Sequence, residues 1–414
     1  MKKVLSMVLV AAMTMSLLAG CASNDTASAS TDSSTTQAQA DSVDTSDTSA
    51  DSTDGAAASG ETFKIGGIGP ITGGAAVYGI AVMNAAQIAV DEINAAGGIN
   101  GYQVEYNFQD DELDNEKSVN AYNNLKDWGM QILMGSVTSG CCVAVAAESA
   151  KDNMFQITPS GSSVDCITNP NVFQVCFTDP NQGIAAADYI KDNNVASKVA
   201  VIYDSSDVYS SGIYAKFAEE ASAKGLEIVS AEAFTADNKT DFSVQLQKAQ
   251  ENGADLVFLP IYYTEASLIL SQADKMGFDT KFFGCDGLDG ILGVENFDAS
   301  LAEGVMLLTP FAADATDDAT VAFVTEYNKR FGENPNQFAA DAYDAIYTIK
   351  AVLEAGNVTP SMSVSDICES AKSGMTSVSI DGLTGLAMTW SADGAVNKAP
   401  KAMEIKGGEY KLIQ

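Results

Sequence analysis

From residue 62 onward, short apolar runs alternate with segments in which apolar positions return every three or four residues. Phe63-Lys64-Ile65-Gly66-Gly67-Ile68 leads into the glycine-rich stretch Gly69-Pro70-Ile71-Thr72-Gly73-Gly74. An apolar run closed by turn residues predicts a buried strand. Val82, Ala85, Ala89 and Ile93 then keep helical spacing, so a helix is expected over 78–95. Ala95-Ala96-Gly97-Gly98 ends it with a glycine cap.

The alternation repeats. Strands are expected over 102–108, 131–134 and 155–158, with helical stretches between them. A second series begins at Lys198, with strands over 199–203, 227–233, 256–260 and 281–284. Helices over 212–224, 244–252 and 265–276 separate these. Two βαβα series of similar size predict an α/β protein of two doubly wound lobes, each built on a parallel sheet. A later helix over 338–355 and strands over 385–390 and 401–405 must return to one lobe or the other.

The first sixty residues follow another pattern. Lys2-Lys3 precede an uncharged apolar run from Val4 to Gly20, the arrangement of a secretory signal. The run is too short for a comfortable membrane span and no stop-transfer charges follow it. Leu17-Leu18-Ala19-Gly20-Cys21 resembles the bacterial lipobox, which implies removal of 1–20 as a lipoprotein signal peptide and lipidation of the Cys21 thiol. Residues 22–60 are mostly Ser, Thr, Ala and Asp, with no aromatic, Lys or Arg and only Val43 as a larger apolar residue. Such a stretch cannot bury enough surface to order itself. Repulsion among Asp41, Asp44, Asp47, Asp51 and Asp54 extends it. Residues 21–60 therefore read as an acidic tether, and the mature protein as extracytoplasmic and held at the bacterial cell membrane by lipid alone.

Composition narrows the function classes. The chain has 414 residues, 46% hydrophobic and 19% charged, enough for two or three globular domains. A net charge of −33 argues against nucleic-acid binding, which needs clustered Lys and Arg to neutralise phosphates. Histidine is absent, so Ser-His-Asp and Cys-His nucleophile pairs and His-ligated metals are excluded. Apart from Cys21 there are six cysteines: Cys141, Cys142, Cys166, Cys176, Cys285 and Cys368. They form no CxxC pattern, and a vicinal bond between Cys141 and Cys142 is strained. Cys166 and Cys176 are near enough in sequence to close a short loop; the disulfide state stays open.

Two motifs invite a cofactor or metal, and both fall short. A dinucleotide fingerprint would need glycine at position 72, where Thr72 stands, and Pro70 removes a backbone donor. Asp110-Asp111-Glu112-Leu113-Asp114 lacks the loop glycine and terminal Glu of a calcium-binding EF-hand. No cofactor, no metal and no catalytic residue is expected.

Gly69-Pro70-Ile71-Thr72-Gly73 with Tyr78-Gly79, an alanine-rich helix, and Asp91-Glu92-Ile93-Asn94-Ala95-Ala96-Gly97-Gly98-Ile99-Asn100-Gly101 resemble the branched-chain amino-acid-binding (leucine/isoleucine/valine-binding-like) proteins of ABC transporters. The likeness runs from about residue 62 to 414. It implies the type I periplasmic binding protein fold, two lobes joined by a three-crossover hinge with the ligand clamped between them. Lobe 1 would be 62–178 plus 311–385, and lobe 2 would be 179–310 plus 386–414.

Strand ends point to the same cleft, since ligands of open α/β sheets bind outside the carboxyl ends of strands. Gly135-Ser136-Val137-Thr138-Ser139 follows one strand and opens a helix; Thr158-Pro159-Ser160-Gly161-Ser162-Ser163 follows the next. Hydroxyls and free N–H groups at a helix N-terminus suit a carboxylate. Neither segment has Lys or Arg, which disfavours a phosphate.

Carried over by the resemblance, Ser139 matches the carboxylate-binding serine. Gly161 and Ser162 match the usual Ala-Thr pair that holds the ligand's carboxylate and ammonium. Asp286, in Gly284-Cys285-Asp286-Gly287, matches the acidic residue that pairs with the ammonium. Tyr209 and Tyr262 match aromatics after the first and third strands of lobe 2, and Tyr78 and Phe338 match walls of the side-chain pocket. Ser210 stands where glycine is usual. The implied function is capture of a free amino acid, branched-chain or a related aliphatic, by hinge closure, and its delivery to an ABC permease with its ATPase subunits. The binding protein would be a monomer. A small amide or aromatic acid as cargo, ligand sensing, and an extracytoplasmic hydrolase are the alternatives.

Overall fold

A computed structural model describes residues 60–413; the expected signal peptide, Cys21 and most of the tether lie outside the described residues. Five strands, β1 (Phe63–Gly69), β2 (Val104–Asp110), β3 (Ile132–Gly135), β4 (Phe155–Thr158) and β5 (Val172–Gln174), form a wholly parallel sheet in the order β2-β1-β3-β4-β5. Helices α1 (Ala76–Ala95), α2 (Asn115–Trp128) and α3 (Ser139–Lys151) connect the first four. β3 and β4 are buried at every position, because helices cover both faces of a parallel sheet and leave no polar face to alternate with. Asp114 caps α2 by accepting the N–H groups of Glu116 and Lys117. Where α1 ends, Gly98 has φ +81 and a Cβ there would sit 1.9 Å from the Tyr102 carbonyl oxygen, so no other residue fits.

After β5 the chain crosses to a second sheet. Here α4 (Asp179–Asp192), β6 (Lys198–Asp204), α5 (Val208–Lys224), β7 (Glu227–Phe234), α6 (Ser243–Glu251), β8 (Leu256–Leu259), α7 (Tyr263–Met276), β9 (Lys281–Gly284) and β10 (Met306–Thr309) follow one another. The chain then returns to the first sheet for α8 (Asp318–Phe331), α9 (Gln337–Ala355), which packs on α1, and α10 (Val364–Met375). It crosses back for β11 (Lys401–Lys406) and β12 (Glu409–Leu412). The second sheet runs β12-β11-β10-β9-β8-β6-β7. Its β6–β10 core is parallel, while β11 and β12 add an antiparallel edge hairpin to the expected parallel sheet.

The expected strand over 385–390 does not form. That segment makes only isolated bridges, Ile380 to Met388 and Trp390 to Val396. Ala387 has φ 49, which breaks extended backbone, and Leu386 is 81% exposed. Trp390 Nε1–H donates to the Gln174 carbonyl at 2.7 Å, and Gln174 N–H donates to the Gly394 carbonyl at 3.0 Å. These bonds use the otherwise free edge of β5, so the chain stays beside the first sheet past residue 394 and crosses later than the expected 385/386 boundary. At that crossing the Lys398 ammonium, fully buried, pairs with Asp341 Oδ1 of α9 at 2.8 Å and donates to Thr384 Oγ1. Among the described residues all six cysteines are free and buried, and no helix is long and apolar enough to cross a membrane.

Candidate functional site

In the first sheet the order reverses between β1 and β3, and the loops after β3 and β4 meet at that point. Ser139 is the first residue of α3. Its Oγ accepts the N–H groups of Ser162 and Ser163, each at 3.1 Å. Both lone-pair directions are thus used, leaving the hydroxyl proton for an outside acceptor. Ser160 Oγ donates to the Val137 carbonyl at 2.7 Å, and Thr158 Oγ1 donates to the Ser136 carbonyl at 2.7 Å. Gln174 braces the loop from behind, donating through Nε2 to the carbonyls of Gly161 (2.6 Å) and Ser163 (2.8 Å).

The second sheet supplies the facing wall. Tyr209 lies in the first turn of α5, Tyr262 is the residue before α7, and Asp286 opens a short 3-10 turn, Asp286–Leu288, after β9. Tyr209 donates its hydroxyl to Asp286 Oδ1 at 2.7 Å and accepts the Gly287 N–H at 3.0 Å. The Asp286 backbone is pinned on both sides: its N–H donates to Gln182 Oε1 at 3.1 Å, and its carbonyl accepts from Gln337 Nε2 at 3.0 Å. The rings of Tyr209 and Tyr262 stack, with centroids 4.9 Å apart and planes 10° apart. Tyr78 crosses from α1 to this wall, donating to the Gly287 carbonyl and accepting the Tyr263 N–H at 3.3 Å. Its ring lies 4.2 Å from that of Phe338. Ser210, where glycine is usual, accepts the Asp204 N–H at 2.8 Å and ties down its own loop.

Together these residues close a narrow cleft of only about 10 Å³, so the two walls are nearly in contact. Tyr78, Ser139, Tyr209, Tyr262, Asp286 and Phe338 border the cavity, as do Val137, Thr138, Ser160 and Gly287. Gly161 and Ser162 do not. Gly161 turns back onto α3, where a Cβ would meet Thr158 Oγ1 at 2.8 Å and the Cys142 Cβ at 2.9 Å, so it packs the loop while Ser160 faces the cavity. Residue type favoured Ser160 as much as its neighbour; only the loop's conformation separates them. Gln182, Gln337 and Asp179 also escaped sequence reasoning, since each sits at or near a helix start and reaches the site only through tertiary packing.

Among the described residues no Lys or Arg borders this cavity. Burial, with a smaller push from Asp341, raises the Asp286 carboxyl to about 7 against the hydrogen bonds from Tyr209 and Gln182. Nearby Asp179 is pushed well above the usual carboxylate range, chiefly by burial, with the Ser162 hydroxyl acting in the other direction. Thr138 Oγ1 is buried without a partner. One wall thus offers hydroxyl donors, the other a carboxylate acceptor, with aromatic faces between them. This set suits a zwitterion with an apolar side chain. Burial also raises the Cys285 and Cys176 thiols, which makes them poor nucleophiles. Among the described residues no group of His, Cys, Asp or Glu is placed to hold a metal ion.

A family model described as periplasmic binding protein matches residues 62–409. A Leu/Ile/Val-binding protein homologue of Brucella melitensis is 30% identical over 324 residues, covering 77% of this chain and 86% of the relative. The leucine-, isoleucine-, valine-, threonine- and alanine-binding protein of Pseudomonas aeruginosa is 27% identical over 303 residues, 72% of this chain and 80% of its own. Among solved structures, the branched-chain amino acid transporter substrate-binding protein LivJ of Streptococcus pneumoniae, in complex with isoleucine, superposes with a TM-score of 0.77 at 29% identity. That alignment covers 85% of this chain and 99% of LivJ.

Proposed function

We propose that this chain, which belongs to the periplasmic binding protein family and there to the relatives of the Leu/Ile/Val-binding proteins, is the substrate-binding component of an ABC transporter for branched-chain or related aliphatic amino acids. One observation carries the reading. A buried carboxylate, Asp286, faces hydroxyl donors across a narrow cleft that has no cation in its wall among the described residues.

In this reading the ligand's carboxylate accepts from Ser139 and Thr138, and its ammonium donates to Asp286. Such charge-assisted bonds gain strength in a dry cleft. The ligand's aliphatic side chain lies against Tyr78, Tyr262 and Phe338. Because donors come from the first sheet's loops and the acceptor from the second's, the ligand contacts both walls only when they are together. It therefore stabilises the closed arrangement by its differential affinity, which is hinge closure. The protein binds its cargo without changing it. Lipidated Cys21 and the acidic tether would hold the binding body beside the permease and its ATPase subunits as a monomer. Replacing Cys21 with Ser should release it from the membrane fraction.

The test is a thermal-shift screen of the full chain against the proteinogenic amino acids, small amides and aromatic acids. Bound ligand raises the melting point by mass action. A shift with leucine, isoleucine or valine supports the assignment. A shift with only aromatic acids or amides removes it in favour of another cargo.

A further inference from the structure

A second and larger cavity, about 420 Å³, lies on the far side of the Asp286–Leu288 turn. Tyr78 and Gly287, which share a hydrogen bond, border the first cavity and not this one. Its size falls within the roughly 300–1,000 Å³ of small-molecule sites. Most of its wall is apolar: Val77 and Ile80 of α1, Leu292, Leu307 of β10, Phe311, and Met403 of β11.

Polar groups interrupt this wall, Asp289 among them. Asp289 is only 5% exposed. Its Oδ2 accepts the Gln337 N–H at 2.8 Å, while its Oδ1 has no partner. Beside it the Tyr410 hydroxyl accepts the Gly290 N–H at 2.9 Å. Burial raises the Asp289 carboxyl to about 6, opposed by the Gln337 bond and the neighbouring Tyr410 hydroxyl. A buried carboxylate with no cation beside it is costly and favours one. Among the described residues the only cation bordering the cavity, Lys411, is held by Asp314 at 3.4 Å and Glu409 at 2.6 Å. Those two acids and Glu333 border the same cavity, favouring cations and repelling anions.

We propose that this cavity binds a small organic ammonium with a hydrocarbon tail, its charge pairing with the Asp289 carboxylate and its tail lying along Val77, Leu292 and Phe311. The occupant differs in class from the ligand of the first cavity. A free amino acid would bring a carboxylate against an acidic rim that has no unpaired cation to meet it.

Calorimetric titration of the full chain with isopentylammonium chloride, and separately with sodium isocaproate, at about pH 7.5 tests this. The ammonium should bind and the carboxylate should not. Asp289→Asn should weaken the ammonium by about tenfold or more. Ala313→Trp, which fills the cavity from its half-buried rim and leaves Asp289 in place, should weaken it similarly. If circular dichroism shows Asp289→Asn unfolded, Ala313→Trp decides alone. Absence of ammonium binding, equal binding of isocaproate, or unchanged ammonium affinity in a folded variant overturns the proposal.

Discussion

Replacing Asp286 by Asn isolates the charge on which amino-acid capture rests. Asn keeps the side chain's size and an oxygen that can still accept from the Tyr209 hydroxyl, now 2.7 Å from Asp286 Oδ1. What it removes is the negative charge facing the ligand's ammonium. A hydrogen bond to a charged group contributes about 1.5–3 kcal/mol, so the dissociation constant should rise roughly ten- to 150-fold. The pH response gives a second, independent reading. The ammonium pairs with the ionised carboxylate, and burial holds the Asp286 carboxyl at about 7. Affinity is therefore full above that value and falls as pH drops below it, approaching roughly tenfold per unit. Binding below it releases a proton. In Asp286→Asn this slope should vanish. Calorimetry of the full chain with the best branched-chain amino acid, repeated between about pH 5 and 8, measures both effects, and the melting point of the ligand-free variant checks that it is folded. An Asn variant with unchanged affinity, or an unsubstituted protein whose affinity is flat across that range, would refute the role given to Asp286.

Other consequences follow from buried groups. Asp207, Asp286 and Asp289 have carboxyls raised by burial to about 6, 7 and 6, above an unfolded value of about 4. Their contribution to stability is complete below the unfolded value and is lost as pH rises through 6–7. The ligand-free chain should accordingly melt higher near pH 5 than near pH 8, and the opposite order in differential scanning calorimetry would contradict these shifts. Lys398→Ala leaves the Asp341 carboxylate buried without its ion partner and should destabilise by about 3–5 kcal/mol. Urea titration checks it, and a loss under 1 kcal/mol would mean the pair is not closed in solution. Gly161→Ala pushes a methyl against Thr158 and Cys142, so stability should fall by about 1–3 kcal/mol and ligand affinity with it, as the Ser160 loop shifts. An alanine variant that binds and melts like the parent would show that the loop is free to relax.

Much of the fold was legible for a simple reason. β4, β8 and β9 are covered on both faces, or nearly so, and double burial writes itself into the chain as contiguous apolar runs. Other strands leave weaker marks. β5 has three residues and β12 is an edge strand without a fully buried position, so neither rises above the loops around it. The segment 385–390 shows the opposite error. Leu386, Met388 and Trp390 alternate like a strand, yet only Met388 and Trp390 are buried. Ala387 turns the backbone into the left-handed region between them.

At the site, Tyr209, Tyr262 and Asp286 stand shortly after β6, β8 and β9, where chain order alone brings them to one edge, whereas Phe338 comes in on α9 after another helix. Ser160 and Gly161 are neighbours in one loop, and which of them faces the cavity depends on packing against Cys142, an α3 residue with no spacing relation to either. Gln182 and Gln337 lie over 150 positions apart, and both grip the Asp286 backbone. No periodicity links such a pair; only the return of the chain across the two sheets does.

Equilibrium dialysis of the full chain against leucine, isoleucine and valine, with mass analysis of what is retained, tests the central claim most directly. The account predicts one unmodified amino acid retained per chain, and its loss in Asp286→Asn. No retention of any of the three, or recovery of a chemically altered product, would contradict it.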